Sequence, residues 1–377
     1  MVAARGLARA LVVFLALAAA CGDEGPRLLI DLSATPPPTS PAASPTAVVA
    51  PSPTPACVDA ASAEATAAAA TVQVVAGTIA GSGVLVSPRG HVLTAQHVVR
   101  DQSLVVVLLP DGRRSVGRVV ARDEASDMAL VSLPLEGLPS LDWAPEEPEA
   151  GTPVLALGYP LPSQRGLGGP PTAADAVTAP TLEVGGQRFL PLQTRLNQGY
   201  SGGPVVDLCG RLVGLVLARL GDSRQSALAL SLTDARPVAE RLLQARPPTA
   251  GGEEQALAAN MTVALGEGYL PSGRYVAVDA GGGQRLFALH GICLDSPDSY
   301  CQKVLFFVGT RYVGADTLRP SRLVLDVLPG EVPAEVIVVY PTYEPSDPAC
   351  CPSGPPVPIP YTWDGERIRP GGVPPEH

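Results

Sequence analysis

The sequence predicts an all-β chain of two folded units, carried behind an export segment and an extended stalk. Proline (42) and glycine (39) are abundant among its 377 residues, which favours short strands and turns over long helices. Short β-branched runs of four to six residues recur between Thr71 and Leu217, as in a barrel or sandwich. Hydrophobic residues make up 46 % of the chain, enough for a sizeable core, and the length exceeds that of one typical domain. The formal charge of −10 argues against nucleic acid as a partner.

At the N-terminus, Arg5 and Arg9 precede the apolar run Ala10–Ala20, which meets Cys21. A positive start, an apolar core and small residues before the break are the pattern of a secretory signal over 1–20. The run is shorter than the ~20 residues that span a bilayer. Residues 21–56 are dominated by Pro, Ser, Thr and Ala from Ala34 onward, and nothing there can be buried, so they form an extended stalk.

The runs Thr71–Val75, Gly83–Ser87, Leu104–Leu109, Val116–Ala121, Met128–Leu133, Val154–Leu157, Gly203–Val206 and Leu212–Leu217 are the strands of a first unit over 57–246. It closes with a helix over Thr233–Leu243, where Ala235, Val238, Ala239, Leu242 and Leu243 follow a 3.6-residue rhythm. Thr233 or Asp234 supplies its cap. A linker follows over 247–257, then a second β-rich unit over 258–369 and a tail over 370–377.

Three segments carry a chemistry together that none carries alone. Ser201 stands before two glycines in Asn197–Pro204, where a turn can aim backbone N–H groups at one point. His97 follows an apolar run in Leu93–Val99; a lone histidine is more often a satisfied core residue. Asp127 heads the apolar run Met128–Leu133, where an acid is commonly a turn residue. A nucleophile, a base, an orienting acid and oxyanion donors are what acyl transfer at neutral pH requires. The donors would be the amides of Gly199 and Ser201.

Gly81-Ser82-Gly83, Thr94–Val99, Asp127–Leu130 and Gly199–Pro204 together resemble the trypsin-like serine proteases, in particular the bacterial HtrA/Deg branch. The order His, Asp, Ser suits that family and excludes the α/β-hydrolases and subtilisins. The resemblance covers about 71–243 and implies a two-barrel chymotrypsin-like fold with a closing helix. It also implies a serine endopeptidase that needs no cofactor, with His97 as base, Asp127 as orienting acid and Ser201 as nucleophile. Tyr200 stands where Asn or Asp is usual, with its side chain expected away from the chemistry. Arg195 falls where the family places the pocket floor and is expected to disfavour basic side chains. The pocket wall falls on Ser226, Ala227 and Leu228, in a segment to Ser231 that can pair with an extended peptide. No PDZ pattern follows.

Leu17–Cys21 resembles the lipobox of bacterial lipoproteins, which implies a lipid on Cys21 and a membrane as partner. The even set Cys57, Cys209, Cys293, Cys301, Cys350 and Cys351 then suits disulfides in an exported chain, and a Cys57–Cys209 bond would pin the N-terminal arm. No pair of C-x-x-C motifs is present and there are four histidines, so no metal site is expected. The second unit, with Asp347–Gly354 and Trp363-Asp364-Gly365, is similar to the LppP/LprE lipoproteins. That implies a small antiparallel β unit. Either Cys350 and Cys351 bond Cys293 and Cys301, or one pair closes on itself; Trp363 is expected in the core. Proteins or peptides outside the cytoplasm are the expected substrates. The alternative is a surface lipoprotein that binds, with the protease-like unit as scaffold.

Overall fold

The computed structural model describes residues 59–160, 167–219, 227–294, 296, 300–348 and 350–375. It opens with α1 (Ala60–Ala70), capped by Asp59, whose carboxylate accepts the Ser62 amide at 3.0 Å. Ala63, Ala67 and Ala70 bury one face of that helix.

A closed barrel follows, built from β1 (Thr71–Ala76), β2 (Ile79–Ser87), β3 (His91–Ala95), β4 (Leu104–Leu108), β5 (Arg114–Asp123) and β6 (Met128–Ser132). The strands pair in the order β1-β2-β3-β6-β5-β4, and β4 returns to β1 with Val74 opposite Val107. The short helix α2 (Gln96–Val99) lies between β3 and β4. Valine and leucine fill the barrel, among them Val74, Val84, Leu93, Val107 and Leu130.

A second antiparallel sheet holds β7 (Pro153–Gly158), β8 (Thr172–Val177), β9 (Leu182–Val184), β10 (Gln187–Leu192), β11 (Pro204–Val206), β12 (Leu212–Arg219) and β13 (Ala227–Ser231). Its order is β8-β7-β11-β12-β13-β10-β9. The chain leaving β8 meets β10 again through Ala179 N–H to Pro191 O and Gln193 N–H to Val177 O, each at 2.9 Å. The sheet thereby curls until the chain beyond β8 bridges β10 at Thr178 and Leu192, and α3 (Leu232–Leu243) follows β13. The expected capping by Thr233 or Asp234 is replaced. Ser231 is the N-cap, and the Thr233 amide donates at 2.9 Å to Glu147, a carboxylate 86 residues away. Asp234 instead accepts from the Arg188 backbone and guanidinium.

Where the sequence suggested a linker and then strands, the chain forms α4 (Gly252–Gly266). Glu253 and Glu254 sit in its first turn, where the helix dipole favours acids. Leu257, Met261, Ala264 and Leu265 form its buried face. Beyond it come two antiparallel sheets. One has β14 (Tyr269–Gly281), β15 (Gln284–Cys293), β16 (Gln302–Val308) and β17 (Arg311–Ala315). The other has β18 (Asp326–Pro329), β19 (Glu335–Thr342), β20 (Gly354–Trp363) and β21 (Ile368–Pro370).

Strand alternation splits the first of these sheets between two cores. Leu286, Ala288, Val304, Phe306 and Val308 face the second sheet, where Val338, Tyr340, Tyr361 and Trp363 are buried. Phe287, Leu289, Leu305 and Phe307 face α4 and the first barrel, in one cluster with Val75, Leu104, Val106, Leu108 and Val116. The two units thus share a core, and Arg118 in β5 bonds Glu254 in α4 at 2.7 Å. Trp363 lies in the core, as expected, with the Arg311 guanidinium 5.4 Å from its ring centre. Cys293 bonds Cys301 and Cys350 bonds Cys351, so each pair closes on itself.

Candidate active site

His97 reaches its place through strand register. β3 pairs with β6 so that Ala95 stands opposite Met128, which sets the next residue of one strand beside the preceding residue of the other. The Gln96 amide donates to Asp127 O and the His97 amide to Asp127 Oδ1, each at 2.9 Å. His97 Nδ1 meets Asp127 Oδ2 at 2.6 Å. The carboxylate therefore spans the histidine's backbone and ring, and a carboxylate can only accept, so Nδ1 carries the proton there. Nε2 is left as the basic atom on the opposite edge of the ring.

Asp127 has φ +51°, in the left-handed region that aspartate tolerates better than most residues. The turn before it is tied down. Ser126 donates its amide and hydroxyl to Asp123 Oδ1, and the Asp123 carboxylate also takes a bond from Arg241 of α3. Burial pushes the Asp123 carboxyl up, but the bonds from Arg241 and Ser126 outweigh it and hold the group below its ordinary range.

Ser201 lies on the turn between β10 and β11. Its carbonyl accepts the Ser82 amide at 2.8 Å, and Gly202 N–H donates to Val216 O at 2.7 Å. Gly202 has φ +82°, and a Cβ there would come within 2.3 Å of Ser82 O and 2.7 Å of the Ala95 amide. Only glycine lets this turn seat itself on the strand end that leads, two residues later, to His97. The nucleophile candidate and the histidine–aspartate pair are therefore neighbours. Among the described residues no hydrogen bond joins Ser201 to His97, and none uses the amides of Gly199 or Ser201. In free enzymes catalytic hydrogen bonds are often long and tighten on substrate binding.

Tyr200 is buried against Gly158, where a Cβ would lie 2.8 Å from the tyrosine ring, and burial raises its phenol pKa. The tyrosine is buried in the core of the second sheet, with Val154, Ala156 and Val205. Arg195 is exposed and joins no ion pair among the described residues. Ala227 and Leu228 are buried within β13, which pairs with β10 along Ala227–Leu230 and with β12 along Ala227–Ser231. Both edges are taken over Ala227–Leu230, so the peptide pairing expected of the strand has no free edge there. Ser226, like Cys21 and Cys57, lies outside the described residues. Cys209 is disulfide-bonded.

Among the described residues, no group of three or more His, Cys, Asp or Glu is placed to hold a metal ion, and no helix is long and apolar enough to cross a membrane.

The family model for the trypsin-like peptidase domain matches residues 81–215, and that for the LppP/LprE lipoproteins matches residues 288–366. The putative serine protease HhoB of Synechocystis sp. is 32 % identical over 212 residues, covering 53 % of this chain and 50 % of its own. The serine endoprotease DegS of Escherichia coli K12 is 33 % identical over 142 residues, covering 36 % of this chain and 38 % of its own. The chain spans half or less of these curated relatives' length. A solved structure of the Rv3671c protease from M. tuberculosis, in its active form, is 26 % identical and covers 54 % of this chain and 97 % of its own, with a TM-score of 0.44. The chain is similar to the trypsin-like peptidases over residues 81–215 and to the LppP/LprE lipoproteins over residues 288–366.

Proposed function

We propose that this chain is a serine endopeptidase with Ser201 as nucleophile, His97 as general base and Asp127 as the acid that orients it. One observation carries the reading: a single carboxylate grips His97 at both amide and ring, beside the glycine turn that presents Ser201.

The chemistry follows from those positions. Ser201 Oγ attacks the carbonyl carbon of a peptide bond while its proton passes to His97 Nε2. The carbonyl oxygen becomes an oxyanion in the turn that offers the Gly199 and Ser201 amides. The imidazolium, held by Asp127, returns the proton to the leaving nitrogen. The C–N bond breaks and an ester on Ser201 remains. Water then attacks that ester, giving its proton to His97, and the acid leaves as Ser201 recovers its proton.

Export and anchoring belong to the same reading. The lipobox-like Leu17–Cys21, the similarity to lipoproteins over 288–366 and the closed cysteine pairs all suit a chain held at the outer face of a membrane. With four cysteines paired among themselves and Cys21 lipidated, Cys57 is the partner left for Cys209. Its substrates would be proteins in that compartment. Arg195 faces solvent at the pocket floor position and disfavours basic side chains only weakly, since exposed charges are screened.

A fluorophosphonate probe tests the proposal. It should label the folded, oxidised protein at Ser201, and Ser201→Ala should abolish both labelling and cleavage of unfolded casein. Absence of labelling in folded wild type would leave the domain as a binding scaffold.

A further inference from the structure

We propose that Ser82 is a positioning residue that sets the oxyanion hole by fixing the peptide between Gly199 and Tyr200. The inference rests on the reading of Ser201 as nucleophile.

Ser82 is fully buried. Its hydroxyl lies 2.6 Å from Gly199 O and 2.9 Å from the Tyr159 amide nitrogen. The direction of both bonds is fixed by chemistry. A backbone amide only donates and a carbonyl only accepts, so Ser82 Oγ accepts from Tyr159 and gives its own proton to Gly199 O. Two such bonds in series polarise one another in a site away from water.

The backbone of Ser82 is committed as well. Its N–H donates to Ser201 O at 2.8 Å, and its carbonyl accepts from Thr94 Oγ1 at 2.7 Å. One residue therefore holds the carbonyls of both Gly199 and Ser201. Their amides are the proposed oxyanion donors. Gly199 has φ +98° and, lacking a Cβ, little intrinsic resistance to rotation. Anchoring its carbonyl restricts the ψ angle and, with the Ser201 anchor, confines the whole turn. The surroundings leave Ser82 no room to drift. A Cβ on Gly158 would lie 2.9 Å from Ser82 Oγ, and one on Gly203 would lie 3.2 Å from Ser82 Cβ.

Donors held in place before the reaction need no reorganisation as the oxyanion forms, which is where their rate advantage arises. Ser82 touches neither the substrate nor the reacting atoms and exchanges no proton with them. Its effect should therefore appear in kcat rather than in ground-state binding.

The test uses the full, oxidised chain as wild type, Ser82→Ala, Ser82→Cys and Ser201→Ala. The substrate is a fluorogenic peptide chosen from wild-type cleavage of unfolded casein. The inhibitors are the aldehyde and the carboxamide of its acyl-side sequence. Losing one oxyanion donor costs on the order of 10²–10³-fold, and here the donor stays but loses its anchor, so Ser82→Ala should lower kcat by about 10–100-fold with KM within about 3-fold. Affinity for the aldehyde, whose adduct places oxygen in the hole, should fall by a similar factor. Affinity for the carboxamide should not change. Ser82→Cys, a weaker donor in the same place, should fall between.

A folded Ser82→Ala with kcat within about 3-fold of wild type overturns the proposal. So does an equal loss of affinity for aldehyde and carboxamide, which would mean a general loosening. Should the alanine variant not fold, the same two ratios in Ser82→Cys decide. If wild type neither cleaves nor labels at Ser201, the nucleophile reading fails first and takes this one with it.

Discussion

Replacing Asp127 with asparagine separates the charge of this side chain from its shape. Asparagine tolerates the left-handed conformation that φ +51° imposes, so the turn and its backbone bonds should survive. The His97 amide still needs an acceptor, and the asparagine carbonyl supplies one at the place of Oδ1, 2.9 Å away. The amide NH₂ then falls where Oδ2 now sits, 2.6 Å from Nδ1. A donor there forces Nδ1 to accept, which moves the imidazole proton to Nε2 and removes the lone pair that should take the Ser201 proton. The histidine is in place but in the wrong tautomer. In triads of this kind that change costs about 10⁴-fold in kcat, equivalent to about 5 kcal/mol of transition-state stabilisation. Peptide hydrolysis gives kcat, fluorophosphonate labelling gives the reactivity of Ser201, and calorimetry gives stability. The expected outcome is a loss of about three to four decades in both rates with a melting temperature near that of wild type. Retention of rate within a factor of about 10 in Asp127→Asn would refute the assignment of Asp127 as the orienting acid.

Three further outcomes follow from other contacts. Gly158→Ala sets a methyl 2.8 Å from the Tyr200 ring and 2.9 Å from Ser82 Oγ, so it should destabilise by about 1–3 kcal/mol and lower kcat, read by melting and hydrolysis together. Met261→Ala, in the cluster shared by α4 and the first barrel, should cost about 2–5 kcal/mol and lower the melting of both units as one transition; two separated transitions would contradict the shared core. His290 is buried between Ser272 and Gln302, and burial, aided by Arg274, lowers its pKa from 6.5 to about 4. The unfolded chain binds that proton first, so wild type should lose about 3 kcal/mol more stability than His290→Gln between pH 6.5 and 4, and parallel denaturation curves would count against it.

The catalytic candidates were legible because each sits in a short local pattern whose backbone consequences are local too. The glycines around Ser201 forecast the turn, and the helical rhythm of Thr233–Leu243 forecast α3 to within one residue. What sequence did not show depends on distant partners. Ser82 could be seen between its glycines, yet its hydroxyl partners lie 77 and 117 residues away. The cap of α3 comes from Glu147, 86 residues upstream, which no local capping rule finds. The alanines of α1 lie on every face and give no apolar stripe to read. In α4 the signal was present, since Leu257, Met261, Ala264 and Leu265 follow helical spacing. The glycines at 251, 252 and 266 masked it as a linker. Over Ala227–Leu230 both edges expected to be open to a peptide are occupied by neighbouring strands for a related reason, because sheet neighbours are set by topology rather than composition.

The shared core also bears on what the second unit is for. If it were a separate binding module with the peptidase-like unit as cargo, it should detach without baring a core. It does not: Phe287, Leu289, Leu305 and Phe307 pack with α4 against Val75, Leu104, Val106, Leu108 and Val116 of the first barrel. Each such side chain gains about 1.5–3 kcal/mol when fully buried, so exposing several would rival the 5–15 kcal/mol that holds a typical domain folded. The contact continues to the site by backbone. A Cβ on Gly273 would lie 2.8 Å from Gly77 Cα, in the hairpin turn from which β2 runs to Ser82. The same Cβ would lie 3.6 Å from Gln102, whose amide closes the turn after α2 on Val99 O. Arg122 fastens that turn by donating to the carbonyls of Arg100 and Gln102. The second unit thus abuts both the strand that steadies the Ser201 turn and the loop that follows His97. It is part of the frame that holds the candidate site, so loosening it should disturb the Ser201 turn and the loop that follows His97.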